Sequence, residues 1–424
     1  MIFTGIGFLI SLLIAKLAGA GQYGTLSLII VNAAFIHIIT GLGTDAAIVW
    51  HGIANKNYSR NKIFSFTLIT ASIQLLFFYI IAILAFFLFG HTLLGGSADP
   101  GIFFAEIVYF TGLVVMDKFL SLYYSQHEAG LCNKIIAIVS TLFLIFVLLL
   151  WSIRSALIAD HSIWIYSLFF MAPSFILFFY FVFRYKPSIE NISQEELRSF
   201  SSFSGIVLFT NIIQFIAFRA DYWLISIFYD HSTLGVYAQA SKFAQLLWIL
   251  PGILAGLLTP ALKNNEHKLS EQDFISVCRV SFFFHILLSL LLISMALLIY
   301  LFFLPPIYFD GFISLLIMIP GYLMFIITTL LAAYFSANRL LRVNLFGSIL
   351  CCIVMLLFDI ILIPIFSFKG AAIANIIAYT ITTVYFIYRA GTFIKIPARD
   401  FFILKKSDFT IFSGKTLITD NQQA

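Results

Sequence analysis

Ionised side chains buried in apolar sequence are the first candidates for chemistry in this chain. Two apolar stretches, spanning residues 206–258, flank the polar turn Asp230-His231-Ser232-Thr233. The first carries Arg219 and Asp221, the second Lys242. Asp221 and Lys242 each stand about eight residues from the turn, so a helix rising ~1.5 Å per residue puts them ~12 Å deep, close to the middle of a bilayer. A charge there costs at least ~2.5–3.5 kcal/mol and normally faces a partner or a wet cavity. Thr210, Gln214 and Asp221 fall at about 0°, 40° and 20° around a helix, a polar stripe with Asn211 beside it. Arg219 falls near 180°, off the stripe. Gln239 and Gln245 flank Lys242 and could bond sugar hydroxyls or backbone, and Pro251 should kink the same helix. The chemistry on offer is binding. Lys242 and Arg219 could hold an anionic group, with Asp221 tuning them or taking a coupling ion. A plain Asp221–Lys242 ion pair pinning two helices is the competing reading.

Other charges within apolar segments are fewer. Lys118, next to Asp117, and Lys16 complete the set of intramembrane cations and join the candidate substrate-binding groups. Neutral pairing would explain Asp117-Lys118, and snorkelling to the interface would explain Lys16. Glu106 and Asp359 lie nearer the expected outer ends, where water could reach them, and Asp45 sits at a solvated inner end. The eight histidines form no metal-like cluster, and Cys132, Cys278, Cys351 and Cys352 lack zinc spacing and read as small packing residues. No phosphate-cradling glycine loop, zinc-protease helix or nucleophile elbow is present, and no outer loop is long enough to house catalytic residues. The sequence therefore implies no enzyme, no cofactor and no metal.

The elements that must position these groups are membrane helices. The chain is 62% hydrophobic and 10% charged, with a formal net charge of +5 and mean hydropathy of +1.04, more apolar than a soluble domain can bury. We expect an all-α polytopic membrane protein of about 12 transmembrane helices, near 2–20, 24–49, 63–90, 101–124, 134–152, 162–183, 203–229, 234–259, 275–304, 311–335, 341–364 and 370–389. No cleavable signal peptide is evident. With the N-terminus inside, the inner loops and tail hold eighteen basic residues and the outer loops only Arg154 and Lys369. That bias predicts an N-in/C-in topology.

Shifting the chain by 211 residues aligns Gly24 with Gly235, Gly41 with Gly252, Tyr123 with Tyr334, Ser125 with Ser336 and Asn133 with Asn344. The register predicts two parallel six-helix lobes around a central cavity. They are an N-lobe over 1–183 and a C-lobe over 203–390, joined by a cytoplasmic linker over 184–202. In the linker, Ser193 should open a short surface helix as a capping-box residue. A basic cytoplasmic tail, 391–424, follows and is expected to lie on an anionic leaflet or to be disordered.

Several motifs together resemble a known family. They are Ala15-Lys16-Leu17-Ala18-Gly19 with Gln22-Tyr23-Gly24-Thr25, Gly41-Leu42-Gly43-Thr44-Asp45, Arg219 and Asp221 with Tyr222-Trp223, Leu234-Gly235-Val236-Tyr237 with Lys242 and Trp248 to Pro251, and Ile363-Pro364 with Lys369-Gly370. The pattern is similar to the polysaccharide flippases, the O-antigen, Wzx-type transporters of the MATE-like (MOP) superfamily. It spans nearly the whole chain and rests mostly on Gly, Pro and Tyr placements. Members usually carry a few more basic and polar residues before the first helix, and this chain departs from them there. The resemblance implies a multi-pass transporter of the bacterial inner membrane. Its cargo would be an undecaprenyl-diphosphate-linked oligosaccharide, an O-antigen or capsule/exopolysaccharide repeat unit, moved from the inner to the outer leaflet by alternating access. Implied partners are that glycan, membrane lipids and other glycan-assembly membrane proteins, not nucleic acid. The alternatives are a multidrug or cation antiporter of the same superfamily, which would want a cavity of unpaired acids, and a glycan-assembly enzyme such as a polymerase.

Overall fold

The computed structural model describes residues 2–54, 58–263, 270–394, 397–405 and 408. The described residues form helices joined by short turns. The chain divides into two compact units, Met1–Gly235 and Val236–Ala424. In order, the helices are α1 (Ile2–Gly41), α2 (Thr44–Ala54), α3 (Arg60–Phe89), α4 (Pro100–Ser125), α5 (Ala129–Asp160), α6 (Ser162–Tyr185), α7 (Gln194–Phe228), α8 (His231–Gln245), α9 (Ile249–Lys263), α10 (Glu271–Phe302), α11 (Phe309–Ala337), α12 (Leu341–Phe366) and α13 (Phe368–Ile394).

Each expected apolar segment falls on helix, with three differences that have physical causes. The 40 residues of α1 cover two segments and turn at Gly19, whose φ of 78° and ψ of 174° suit a residue without a Cβ. The next segment breaks again at Leu42 and Gly43, both at positive φ, so that α2 is a separate short helix. The surface helix expected in the linker runs on without interruption into the following span as α7, because no proline or turn sequence separates them. Its start is as read: Ser193 and Glu196 make the reciprocal capping box.

Among the described residues, nine stretches are long and apolar enough to cross a membrane. The helices α4 and α7 fall outside that set; they carry Glu106, Asp117 and Lys118, and Arg219 and Asp221. The outward surfaces are apolar, as with Phe87, Ile153 and Phe302, each at least three-quarters exposed. Such surface is stable only against lipid. The chain is a multi-pass membrane protein.

The 211-residue register is visible in the helices. The starts of α3 and α10, Arg60 and Glu271, lie 211 residues apart, and those of α5 and α12, Ala129 and Leu341, 212 apart. Within each unit a glycine lets two helix backbones touch. Gly112 on α4 meets Met171 on α6, and Gly321 on α11 meets Ile376 on α13. Gly24 and Gly235, aligned by the register, also meet each other: a Cβ on Gly24 would strike the His231 carbonyl, and one on Gly235 the Ala20 carbonyl.

Loops expected on one side gather at one end of the first unit. Arg60 lies 3.8 Å from Glu128, Asn61 donates to Ser188 at 2.8 Å, and Lys62 pairs with Glu196. That pairing holds the Glu196 carboxyl below its usual range. Of the expected tail, the described residues beyond α13 are 397–405 and 408, and they pack on the second unit. Phe401 is buried, Phe402 packs edge-on to Phe282, and Asp408 pairs with Arg279. Lys56, Lys268, Lys395, Lys406 and Lys415 lie outside the described residues.

Candidate functional site

The sequence-predicted groups are spread over both units. In the first unit, Arg219 on α7 is half-buried. Its guanidinium lies 5.3 Å from the Tyr222 ring centroid, and Nη1 donates to the Tyr222 hydroxyl at 3.3 Å. Asp221 is buried at 5% exposure, and one carboxylate oxygen accepts the Tyr222 backbone N–H at 2.9 Å. Gln214 and Asn211 are exposed. The helix is fixed against α1 by aromatic contacts. Trp223 stands edge-on to Phe35 at 5.0 Å and donates its indole N–H to Asn32 at 2.7 Å. Lys16 lies 5.4 Å from the Trp151 ring centroid, a cation–π contact that suits an ammonium near an interface.

In the second unit, Lys242 and Gln245 on α8 are half-buried, and Gln245 donates to Ser241 at 2.8 Å. Gln239 is fully buried, with neither amide atom hydrogen-bonded. Pro251 cannot donate to the carbonyl four residues earlier, and the chain passes through a 3-10 turn at Leu246–Trp248. That turn presents Trp248 to Tyr322, stacked at 4.5 Å.

Lys118 is fully buried. Its neighbour Asp117 is not its partner. The Lys118 ammonium sits 2.8 Å from the Asp45 carboxylate and also donates to the Thr44 hydroxyl. Helix residues one apart point about 100° away from each other, which sends Asp117 elsewhere, to within 3.0 Å of His37 Nε2. Asp45, expected to be solvated, has a side chain 29% exposed and is the ion-pair partner of Lys118 inside the unit. His37 in turn touches Gln74 on α3, whose Nε2 lies 2.9 Å from His37 Nδ1.

His37, Asp45, Gln74, Asp117 and Lys118 form one connected polar cluster among α1, α2, α3 and α4, and sequence reasoning took in only Lys118 as a candidate. The available signal was that His37 and Gln74 are single polar residues inside long apolar runs, which a membrane span accepts only for a reason. Glu106 and Asp359, expected to be wet, are buried at 2% and 0% exposure. Glu106 accepts the backbone N–H groups of Leu94 at 3.1 Å and Gly95 at 2.8 Å, and so fixes the turn before α4.

A bundle of apolar helices with cations and carboxylates held inside it is a multi-pass membrane fold. Solved structures agree on that fold. An inward closed lipid II flippase MurJ aligns with a TM-score of 0.70 at 16% identity, over 94% of this chain and 87% of the other. An inward-facing multidrug resistance MATE family transporter of the MOP superfamily aligns at 0.63 and 12% identity, over 93% and 95%. The MATE transporter VcmN of Vibrio cholerae, in its bent form, aligns at 0.55 and 16%, over 95% and 96%. A search of the curated proteins finds no match. The family model described as "Polysaccharide biosynthesis protein" matches residues 1–264, and the chain belongs to that family.

Proposed function

We propose that this protein translocates an undecaprenyl-diphosphate-linked oligosaccharide, an O-antigen or capsule/exopolysaccharide repeat unit, from the inner to the outer leaflet of the bacterial inner membrane by alternating access. The observation that carries the reading is Arg219. It is a permanently charged guanidinium, half-buried on a helix of the apolar bundle, in a member of a polysaccharide biosynthesis family. A diphosphate entering a low-dielectric path needs such a group, because Arg stays ionised and binds phosphate oxygens bidentately. Lys242 is the second anion-binding group, and Lys16 draws the headgroup toward the path. The exposed amides of Asn211 and Gln214, with Gln245, supply hydrogen bonds to sugar hydroxyls; Gln239 joins them when the bundle opens. Asp221 is the ion-coupling carboxylate. Lys118 acts from behind, by holding α2 against α4 through Asp45.

The likeness to a lipid II flippase, named for a lipid-linked substrate, supports the same reading. The test is surface glycan in cells carrying Arg219→Ala or Lys242→Ala. Each should display much less glycan at unchanged protein abundance, and normal display in both would overturn the proposal.

A further inference from the structure

The end of the first unit away from Arg60, Lys62 and Glu196 carries the bend of α1 at Gly19, the α3–α4 turn and the α5–α6 turn. Residues from all three line a cavity of about 320 Å³. That volume falls within the ~300–1,000 Å³ of small-ligand pockets. With the N-terminus inside, the cavity sits at the outer end of the helices.

Its lining mixes acceptors, a donor and an aromatic wall. Asp99 and Asp160 bring carboxylates, Gln22 brings an amide, and Trp164 stands beside Ile163. Trp164 is half-buried and stacks on no other ring among the described residues. Gln22 is held from α6: its Oε1 accepts from the Ser162 hydroxyl at 3.4 Å. That leaves the Gln22 NH₂ group to donate. Asp99 caps α4, one carboxylate oxygen accepting the Gly101 backbone N–H at 2.7 Å, so its other oxygen remains to accept. Asp160 stands two residues before Ser162, where α6 begins.

This set of groups discriminates among ligands. No Lys or Arg lines the cavity, and two carboxylates repel an anion such as a diphosphate. Asp99, Asp160 and His161 share the lining, yet no three such groups converge as metal ligands among the described residues. The two helix N-termini, each worth roughly half a positive charge, temper the carboxylates, and an organic cation would leave the Gln22 donors without an acceptor. A neutral sugar ring uses every part. Its hydroxyls donate to the carboxylates and accept from the amide, and its C–H face lies on the indole.

We propose that this cavity is a saccharide-binding site for one ring of the transported glycan. The inference deepens the proposed function and rests on it for the glycan that reaches this end. Capture here would hold a repeat unit after its crossing, so the site acts at release rather than at entry.

The test uses the purified full chain in lipid nanodiscs and saturation-transfer NMR with free N-acetylglucosamine, galactose, glucose, mannose and rhamnose at millimolar concentration. At least one sugar should bind the wild type. Trp164→Ala should weaken it by about two- to tenfold, Asp160→Asn by a similar factor, and Trp164→Phe, which keeps a ring face, should retain most of it. Asp160 is exposed, so its variant tests the cavity even where Trp164→Ala does not fold. Binding of none of the five sugars would overturn the proposal, as would affinities indifferent to Trp164→Ala and Asp160→Asn. Calcium or tetraphenylphosphonium binding through Trp164 and Asp160 in place of sugar would assign the cavity to a cation and overturn it too. These probes carry neither lipid nor diphosphate. Translocation in liposomes without sugar binding would therefore sink the cavity alone, and sugar binding without translocation would sink the proposed function alone.

Discussion

Replacing Lys118 by methionine keeps the length of the side chain and removes its charge, leaving the Asp45 carboxylate without the ammonium 2.8 Å away. At an effective dielectric of ~20 that attraction is of order 6 kcal/mol before desolvation is counted. Removing one member of a buried pair costs ~3–5 kcal/mol in measured cases. Lys118 is fully buried, but the Asp45 side chain is 29% exposed. Water would then screen part of the orphaned charge, and ~2–3 kcal/mol is the expected loss. Thermal unfolding of the detergent-purified chain should show Lys118→Met lowered by several degrees, on the order of 2–6 °C for a chain of this size. Asp45→Asn should lose a similar amount. The double variant should recover ~1 kcal/mol or more relative to the sum, the signature of a direct pair. Strict additivity, or an unchanged transition in Lys118→Met, would refute the claim that Asp45 and Lys118 lock α2 onto α4.

Two further outcomes follow from close contacts. Gly24→Leu should abolish folding, because its Cβ meets the His231 carbonyl, whereas Gly5→Leu, with open space around it, should leave folding intact; membrane abundance of the two variants checks this. Burial alone would push the Asp408 carboxyl up, yet the Arg279 guanidinium and the Lys405 backbone N–H outweigh it and hold the carboxyl at about 2. A depressed carboxyl contributes stability above its unfolded value of about 3.9 and loses it as pH falls through the folded one. Limited proteolysis of the stretch after α13 should therefore stay slow down to about pH 4 and accelerate toward pH 2, while Arg279→Gln should accelerate it already at pH 7.

Much of this architecture could be read from residue patterns, for reasons that are local. Ser193 and Glu196 announced a helix start because a capping box needs only four consecutive residues. The positions of α3, α5, α10 and α12 followed from long apolar runs. The 211-residue register aligned Gly24 with Gly235, but that the two meet in space was not part of that reading. What was not legible depends on which helices become neighbours. Asp45 and Lys118 are 73 positions apart, and nothing near either residue names the other. Asp117 looked like the partner because it is adjacent in sequence, although a helix points adjacent side chains apart. Glu106 looked wet because it lies near a helix end, yet it turns inward to the Leu94 and Gly95 amides. His37 and Gln74 were passed over because each is an isolated polar residue until α1, α3 and α4 bring them together. The turn at Gly19 falls beside the expected break between the 2–20 and 24–49 segments, but that the helix runs on through it as α1 was not legible.

Translocation itself can be measured with the purified protein in liposomes. A fluorescent undecaprenyl-diphosphate-linked glycan is placed in both leaflets, and the fraction reached by an external, membrane-impermeant glycan-cleaving enzyme is followed with time. The account predicts that wild-type protein makes nearly all of the glycan accessible within the assay. Arg219→Ala should hold it near the half that starts outside, although the protein is folded and inserted. Equal and complete accessibility with Arg219→Ala and wild type would contradict the claim that a cation in the bundle carries the diphosphate across.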